Sequence, residues 1–402
     1  MPIGPSLKGV RLASLCGSIK PHFSGTEDYH TALLEALGGR GLEVEVIDRA
    51  SWTLSGLPGL FRRVRRARPD AILVQYPTDA FARTLSIHAF ALLQRSAPLV
   101  VTLHEFVAAH WLRRLSLGVL LARATTVVIT AADEASQLCA WYPWLRPRVR
   151  VIPIGANTPQ RTWRPAKRRK VVYFGQIRPE KGLEEFMAVQ ERMAAAGTDA
   201  SFAIIGSYVP LFASYYNQIA GLAHERSIEI MTGLSPDAVA DRLSEATLAL
   251  LPYPDGASMR RSSLLAAAMC GVPIVTRTGS ATPPELAALL EPAAGTAKMA
   301  ALVASYLENP AALEAAHERS CQLAAMVSWD AIAAEYAAII TAATAGSRVR
   351  PDAPRPDAPR QVRGRDAAPG GAGPGRASMR ASMTPRMSIA AAGPRAARNM
   401  IK

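Results

Sequence analysis

The chain has 402 residues, of which 49% are hydrophobic and 6% aromatic, with 46 Lys/Arg against 32 Asp/Glu. That length exceeds one ordinary domain, so two are expected. Cys16, Cys139, Cys270 and Cys321 lie far apart, with neither a C-x-x-C pair nor metal-ligand spacing, which fits reduced thiols and argues against a disulfide framework.

No apolar run reaches the roughly 18 residues of a membrane span. The nearest, Leu115–Thr130, is interrupted by Arg123. No charged, apolar and small-residue leader opens the chain, so a cytoplasmic protein is expected, at most peripheral on the cytoplasmic membrane face. The formal charge is +14, and residues 347–402 carry 12 Arg/Lys and three Asp/Glu, or +9 of it. The remainder, about +5, is only mildly basic, which weakens a nucleic-acid reading, since that needs a basic face with interleaved aromatics, so no nucleic-acid partner is expected.

Taken in order, VRLASL (10–15) reads as a first strand. The loop CGSIKPHFSGTEDY leads to the helix TALLEALGGRG and then the strand EVEVID. The turn at Ser24–Asp28, with Gly25 in it, sits before a helix, where backbone N–H groups can meet an anion. Turn punctuation explains the glycine equally well. FRRVRRAR (61–68) is a basic amphipathic piece before the strand AILVQYP, and APLVVTLHEF is a buried strand ending at His104 and Glu105. A lone histidine is usually structural. This one stands at a strand's carboxyl end, where doubly wound sheets collect ligands. HWLRRLSLGVLLAR is apolar on one side with Arg113, Arg114 and Arg123 around it. Such a helix can lie on anionic lipid such as the inner membrane, or serve as an ordinary surface helix. The strand TTVVIT, the helix AADEASQLCAWY and the strand RVRVIPIGAN finish the first half, and residues 156–169 read as a linker.

The second half restarts with KVVYFGQI, read as a strand ending at Gly175. The loop QIRPEKG and the helix LEEFMAVQERMAAAG follow. ASFAIIG and SIEIMTG are further strands, separated by a helix near 210–226. In Ala246–Thr276, ATLALLPY reads as a buried strand, PDGASMRRSS as a loop, LLAAAMC as a helix and VPIVT as the next strand. Ser262 and Ser263 are candidate N-caps, and Gly271 is placed as the helix C-cap glycine. Arg260 and Arg261 stand before this helix, and Arg178 and Lys181 before the earlier one, so the four cations can surround a diphosphate. There is no D-x-D, no ligand cluster, no G-x-G-x-x-G after a strand and no G-x-x-x-x-G-K. Neither a metal nor a redox cofactor is therefore expected. Helices near 296–308, 310–326 and 328–343 close the folded part. After Gly346 the Pro/Ala/Arg/Gly-rich composition reads as disordered, either a tether to anionic membrane or a flexible extension.

PYPDGASMRRSSLLAAAMCGVPIVT resembles the donor-site segment of the family 4 retaining glycosyltransferases. FGQIRPEKGLEEFM resembles their phosphate-binding strand–loop–helix, SGTEDY their amino-terminal loop and VTLHEF the strand ending in the active-site histidine. RVRVIPIG resembles the strand entering the linker, and SWDAIAAEYAAII the helix that crosses back. The resemblance implies an α/β, GT-B fold, with two Rossmann-like doubly wound domains facing a cleft. Residues 1–157 would form the acceptor-side domain, 158–327 the donor domain, 328–346 the closing helix and 347–402 the tail.

The resemblance also implies transfer of a sugar from a nucleoside-diphosphate donor to a glycan or lipid-linked acceptor, in cell-surface or exopolysaccharide assembly. His104 and Asp255 would be catalytic. Gly25, Gln176, Arg178, Lys181, Arg260, Arg261, Ser262 and Ser263 would bind the diphosphate. Two departures stand out. Ala266 occupies the place of a ribose-binding glutamate, and Gln176 replaces the usual arginine, for which Arg178 can substitute. The other glutamate's place falls on Ser258, or on Asp255 if the loop carries three extra residues. A non-catalytic binding or scaffold subunit is the main alternative, and an epimerase or phosphorylase of the same fold is a third.

Overall fold

The computed structural model describes residues 5–16, 25–47, 52–78, 81, 84–107, 109–280 and 282–348. The first domain runs β1 (Arg11–Leu15), α1 (Gly25–Gly38), β2 (Glu43–Ile47), α2 (Leu57–Ala67), β3 (Ala71–Tyr76), α3 (Ser86–Leu93), β4 (Leu99–Leu103), α4 (Trp111–Ala122), β5 (Thr126–Ile129), α5 (Ala132–Trp141) and β6 (Val149–Val151). Its six strands are all parallel, in the order β2-β1-β3-β4-β5-β6. Every residue of β3 is buried, as expected of a strand covered by helices on both faces.

The second domain runs β7 (Lys170–Ile177), α6 (Leu183–Ala195), β8 (Ser201–Tyr208), α7 (Ala213–Glu225), β9 (Glu229–Thr232), α8 (Pro236–Ser244), β10 (Leu248–Leu251), α9 (Ser262–Met269) and β11 (Ile274–Thr276). Four helices follow: α10 (Pro284–Ala287), α11 (Thr296–Glu308), α12 (Pro310–Val327) and α13 (Trp329–Arg348). The parallel order β11-β10-β7-β8-β9 reverses direction between β7 and β10. That reversal opens a crevice at their carboxyl ends, where open α/β sheets bind ligands. The chain is thus α/β with two Rossmann-like domains, the GT-B architecture. No helix or strand forms between Ile152 and Arg169.

The last helix returns to the first domain. Ile332, Ala333, Tyr336, Ala337 and Ile340 are buried against Leu12, Tyr29 and Leu33, a spacing that lays one helical face on the core. Tyr29 Oη donates to Tyr336 Oη at 3.1 Å, and Tyr336 Oη lies 2.8 Å from Thr102 Oγ1. Pro310–Ala345 contains an 18-residue window with mean hydropathy above the usual threshold for a span. The helix breaks at Ser328, whose backbone is extended, and α13 spends its apolar face inside the protein.

Three local expectations are corrected. α1 begins at Gly25 rather than Thr31, because Glu27 and Asp28 suit a helix's first turn and Tyr29, Leu33 and Leu37 already face the core at four-residue spacing. β7 does not end at Gly175, since Gln176 and Ile177 continue pairing with Ser207 and Tyr208 of β8. The N-cap of α9 is Arg261, with no side-chain cap bond, and Ser262 is the first helical residue. The closing helix runs two residues past its expected end, through Ser347 and Arg348, while the rest of the proposed disordered tail 347–402 and the loop before Gly25 lie outside the described residues. Gly271, in contrast, takes the left-handed conformation assigned to it (φ +64).

Candidate functional site

At the carboxyl ends of β7, β8, β9 and β10 lies a cavity of about 590 Å3, lined by Gln176, Lys181, Ser207, Tyr253, Arg261 and Ser263 among others. Phe174, Leu234 and Val239 add apolar wall, and the linker contributes Asn157 and Thr158. The loop bearing Lys181 is drawn tightly against the end of β10. A Cβ on Gly182 would run into the carbonyl of Pro252, and its φ of +83 is one that only glycine adopts cheaply. Gly256 (φ +92) similarly lets the loop after β10 press against Gly279.

The cations of this crevice are already held in place. Arg261 pairs with the Asp255 carboxylate, and its guanidinium carbon lies 4.7 Å from the centre of the Tyr253 ring. Tyr253 Oη lies 2.7 Å from Ser263 Oγ, so that hydroxyl supports the tyrosine. Arg178 Nε donates to Gln176 Oε1 at 3.1 Å. Burial lowers the Lys181 pKa, and the positive charges of Arg178 and Arg261 lower it further, against the opposing pull of Asp255. Such crowding of cations favours a bound anion.

A second cavity, of about 760 Å3, lies between the two domains. Thr130, Asp133 and Ser136 line it from the first, and Ser258, Thr282 and Glu285 from the second. Arg260 and Arg261 border both cavities. Arg260 Nη1 donates to Glu134 Oε1 at 3.1 Å, while Glu134 Oε2 accepts from the backbone N–H groups of Phe106 (2.7 Å) and Val107 (2.9 Å). Glu134 is 2% exposed. It therefore joins the arginine loop of one domain to the segment just after His104 in the other.

His104 itself lines neither cavity. It is half-buried, with Nε2 2.8 Å from Gln75 Oε1 and its ring edge-on to Tyr29 at 4.9 Å. Burial, then the neighbouring His30, push its pKa down to about 3, so the ring is neutral at ordinary pH. His30 is pushed to about 4 by burial and meets Ser14 Oγ at 2.7 Å.

The structure thus gathers Gln176, Lys181, Arg260, Arg261, Ser262 and Ser263 around one cavity. It places Asp255 on the interdomain cavity and tied to Arg261, and it leaves Arg178 at the crevice rim rather than in its lining. Ala266 is packed in the core of the second domain, so that position offers nothing to a ribose. Glu134, Tyr253 and the linker pair Asn157 and Thr158 were not singled out from the sequence. An acidic residue in a helix's first turn is ordinarily a dipole partner, so Glu134 carried no distinguishing signal. Among the described residues, no three His, Cys, Asp or Glu side chains converge to hold a metal ion.

A family model described as "Glycosyl transferases group 1" matches residues 168–309, and one described as "Glycosyl transferase 4-like domain" matches residues 35–155. Comparison with curated proteins finds no match. Among solved structures, a glycosyltransferase from Rickettsia africae ESF-5 is similar with a TM-score of 0.61 at 9% identity, covering 83% of this chain and 98% of that one. Anabaena Alr3699/HepE in complex with UDP and glucose is similar with a TM-score of 0.54 at 15% identity, over 83% of this chain and 100% of that one. The pneumococcal O-GlcNAc transferase GtfA in complex with UDP and GlcNAc gives 0.51 at 14% identity, over 72% and 59%. At these identities the likeness is one of fold.

Proposed function

Because the chain belongs to the glycosyltransferases that carry these two domains, which together span about two thirds of its length, we propose that it is a retaining member of family 4. It would move a sugar from a nucleoside-diphosphate sugar to a glycan or lipid-linked acceptor, in cell-surface or exopolysaccharide assembly. The observation that carries this reading is the crowding of Lys181 and Arg261 at the β7–β10 crevice, beside the amino terminus of α9. The UDP complexes of the solved relatives support uridine as the first base to test.

In this reaction the bond between the anomeric carbon and the diphosphate breaks, and negative charge grows on the leaving oxygen. Lys181, Arg261 and the N–H groups of the first turn of α9 lie close enough to one another to stabilise that charge together. The leaving oxygen takes the acceptor's proton as the acceptor attacks from the same face, so the anomeric configuration is kept. Arg261 turns from Asp255 toward the diphosphate, which frees the carboxylate for sugar hydroxyls. His104 is neutral but lines neither cavity, so no contact with the sugar is assigned to it. The proposed chemistry needs no metal.

A thermal-shift screen against UDP-, GDP-, ADP- and dTDP-sugars with EDTA present tests the donor site, since a ligand of the native state raises Tm by mass action. A shift for one donor, lost in Arg261→Ala, is expected, with acceptor-dependent release of nucleotide and an unchanged anomeric configuration by NMR. Ala266 in place of a glutamate favours the second reading, a non-catalytic subunit. Donor binding without turnover would select it. Silence with every donor, and in acceptor-dependent assays, would overturn the catalytic reading and favour the non-catalytic one.

A further inference from the structure

α2, α3 and α4 lie side by side on the first domain and carry no Asp or Glu. An ordinary surface helix turns polar side chains to water. α4 does the reverse. Its exposed positions are Trp111, Leu112, Leu115, Val119 and Ala122, all apolar, while Arg113, Arg114 and Ser116 are half-buried. Trp111, Leu112 and Leu115 are each more than half exposed. Arg114 is turned inward, donating to the carbonyls of Ala109 and Val107. α3 behaves in the same way, its exposed positions being Leu92 and Leu93. Trp141 and Trp144 extend the apolar surface. Trp141 shares the guanidinium of Arg114, and Trp144 packs edge-on to Tyr142, whose hydroxyl donates to the Arg114 carbonyl.

Beside this surface α2 is basic and has no acidic residue of its own. α2 exposes Arg62, Arg63, Arg65 and Arg66. Between α2 and the end of α3 lies a groove of about 510 Å3, lined by Arg62, Arg65 and Arg95 together with Phe61 and Leu93, and no carboxylate enters it.

We propose that the α2–α3–α4 face docks on the surface of an anionic phospholipid bilayer. Arg62, Arg65 and Arg95 hold headgroup phosphates in the groove, and Trp111, Leu112, Leu115 and Leu93 enter the boundary with the acyl chains. Exposed tryptophans and leucines beside a row of arginines match the two layers of that boundary. A protein partner of mixed charge would leave the arginine row without complement. The inference goes beyond the proposed reaction, and lipid binding can be measured without any donor or acceptor.

The test is co-sedimentation of the full chain with phosphatidylcholine vesicles, with and without phosphatidylglycerol. Binding is expected to require the anionic lipid and to weaken with salt. One cation near an anionic surface contributes roughly a fivefold factor in partition, so Arg62→Glu/Arg65→Glu/Arg95→Glu is expected to weaken it by about a hundredfold or more. Trp111→Ser/Leu115→Ser is expected to weaken it at low and high salt alike. Fluorescence of the unaltered protein's tryptophans is expected to be quenched by vesicles with brominated acyl chains, a readout that does not depend on how any variant folds. Equal binding by wild type and both variants, as basic residues 349–402 alone would give, overturns the proposal. Absence of quenching overturns it as well. So does a vesicle-inert dimer that Trp111→Ser/Leu115→Ser dissociates, since a second copy would then cover the face.

Discussion

Arg260 of the second domain places Nη1 3.1 Å from Oε1 of Glu134, a buried carboxylate of the first. The two partners are unequal. Arg260 is 43% exposed in its side chain and can turn to solvent or to a ligand, whereas Glu134 also holds two backbone N–H groups. Arg260→Ala is therefore expected to cost about 1 kcal/mol of stability or less, as for an exposed ion pair. Glu134→Ala leaves two N–H groups without an acceptor and is expected to cost about 2–4 kcal/mol. Urea unfolding of both variants checks this, and equal losses would remove the role assigned to the carboxylate in holding the segment after His104.

Lys181 and Arg261 make the strongest prediction for the donor site. Replacing either with alanine removes one charge-assisted contact, each costing about 1.5–3 kcal/mol of nucleoside-diphosphate affinity. Titration calorimetry with UDP should show weakening of roughly tenfold to a hundredfold for each. Arg178→Ala should change affinity less, because Arg178 stands at the rim and bonds to Gln176. A larger loss from Arg178 than from Arg261 would reverse the assignment.

Gly182 and Gly197 separate backbone conformation from crowding. Both have φ above +70, but a Cβ on Gly182 meets the Pro252 carbonyl, whereas one on Gly197 meets nothing within 4 Å. Gly197→Ala should cost about 1 kcal/mol, the penalty for a left-handed residue. Gly182→Ala should cost more than this, and donor affinity should fall with it as the Lys181 loop is pushed off β10. Melting curves and UDP binding measured together would expose a failure in either direction.

Two buried histidines, His30 and His88, and the half-buried His104 set the acid limb of stability. Burial pushes His30 and His88 down to about 4, and burial with His30 pushes His104 to about 3. In the unfolded chain each titrates near 6.5. Above that pH all are neutral in both states and their contribution is complete. As pH falls from 6.5 toward 4, the unfolded chain binds protons that the folded one refuses, and stability drops by about 1.4 kcal/mol per pH unit for each histidine. His88 has no hydrogen-bond partner at either ring nitrogen among the described residues and packs edge-on to Tyr76. His88→Phe should shallow the acid limb and raise stability at neutral pH. An unchanged slope would contradict the buried neutral state.

Most of the architecture was legible because parallel strands covered on both faces read as apolar runs, and VRLASL, AILVQYP and VVYFGQI all form strands near their expected places. Boundaries were less legible. Gly25 reads as a turn in isolation, yet Tyr29 docks on Tyr336, about three hundred residues away, and carries the helix back to Gly25. In the candidate site, the sequence grouped Lys181 with the two arginines, and the structure has all three lining one cavity. It could not separate Arg260 from Arg261. One faces Glu134 and the other Asp255 and Tyr253, a division decided by the meeting of the two domains. The exposed apolar face of α4 was half visible, since periodicity reveals a stripe but not whether it is turned inward.

The return of α13 to the first domain means that the chain passes between the domains twice, once along residues 152–169 and once near Ser328. A single cut in the linker would therefore not release two independent halves. The carboxyl-terminal fragment would still own a helix whose Tyr336 and Ile340 belong to the core of the other piece. The amino-terminal domain, expressed by itself, would show that core open along one side. Each half is thus incomplete as a folding unit, and the protein's two parts are stitched together by an exchanged element rather than merely tethered.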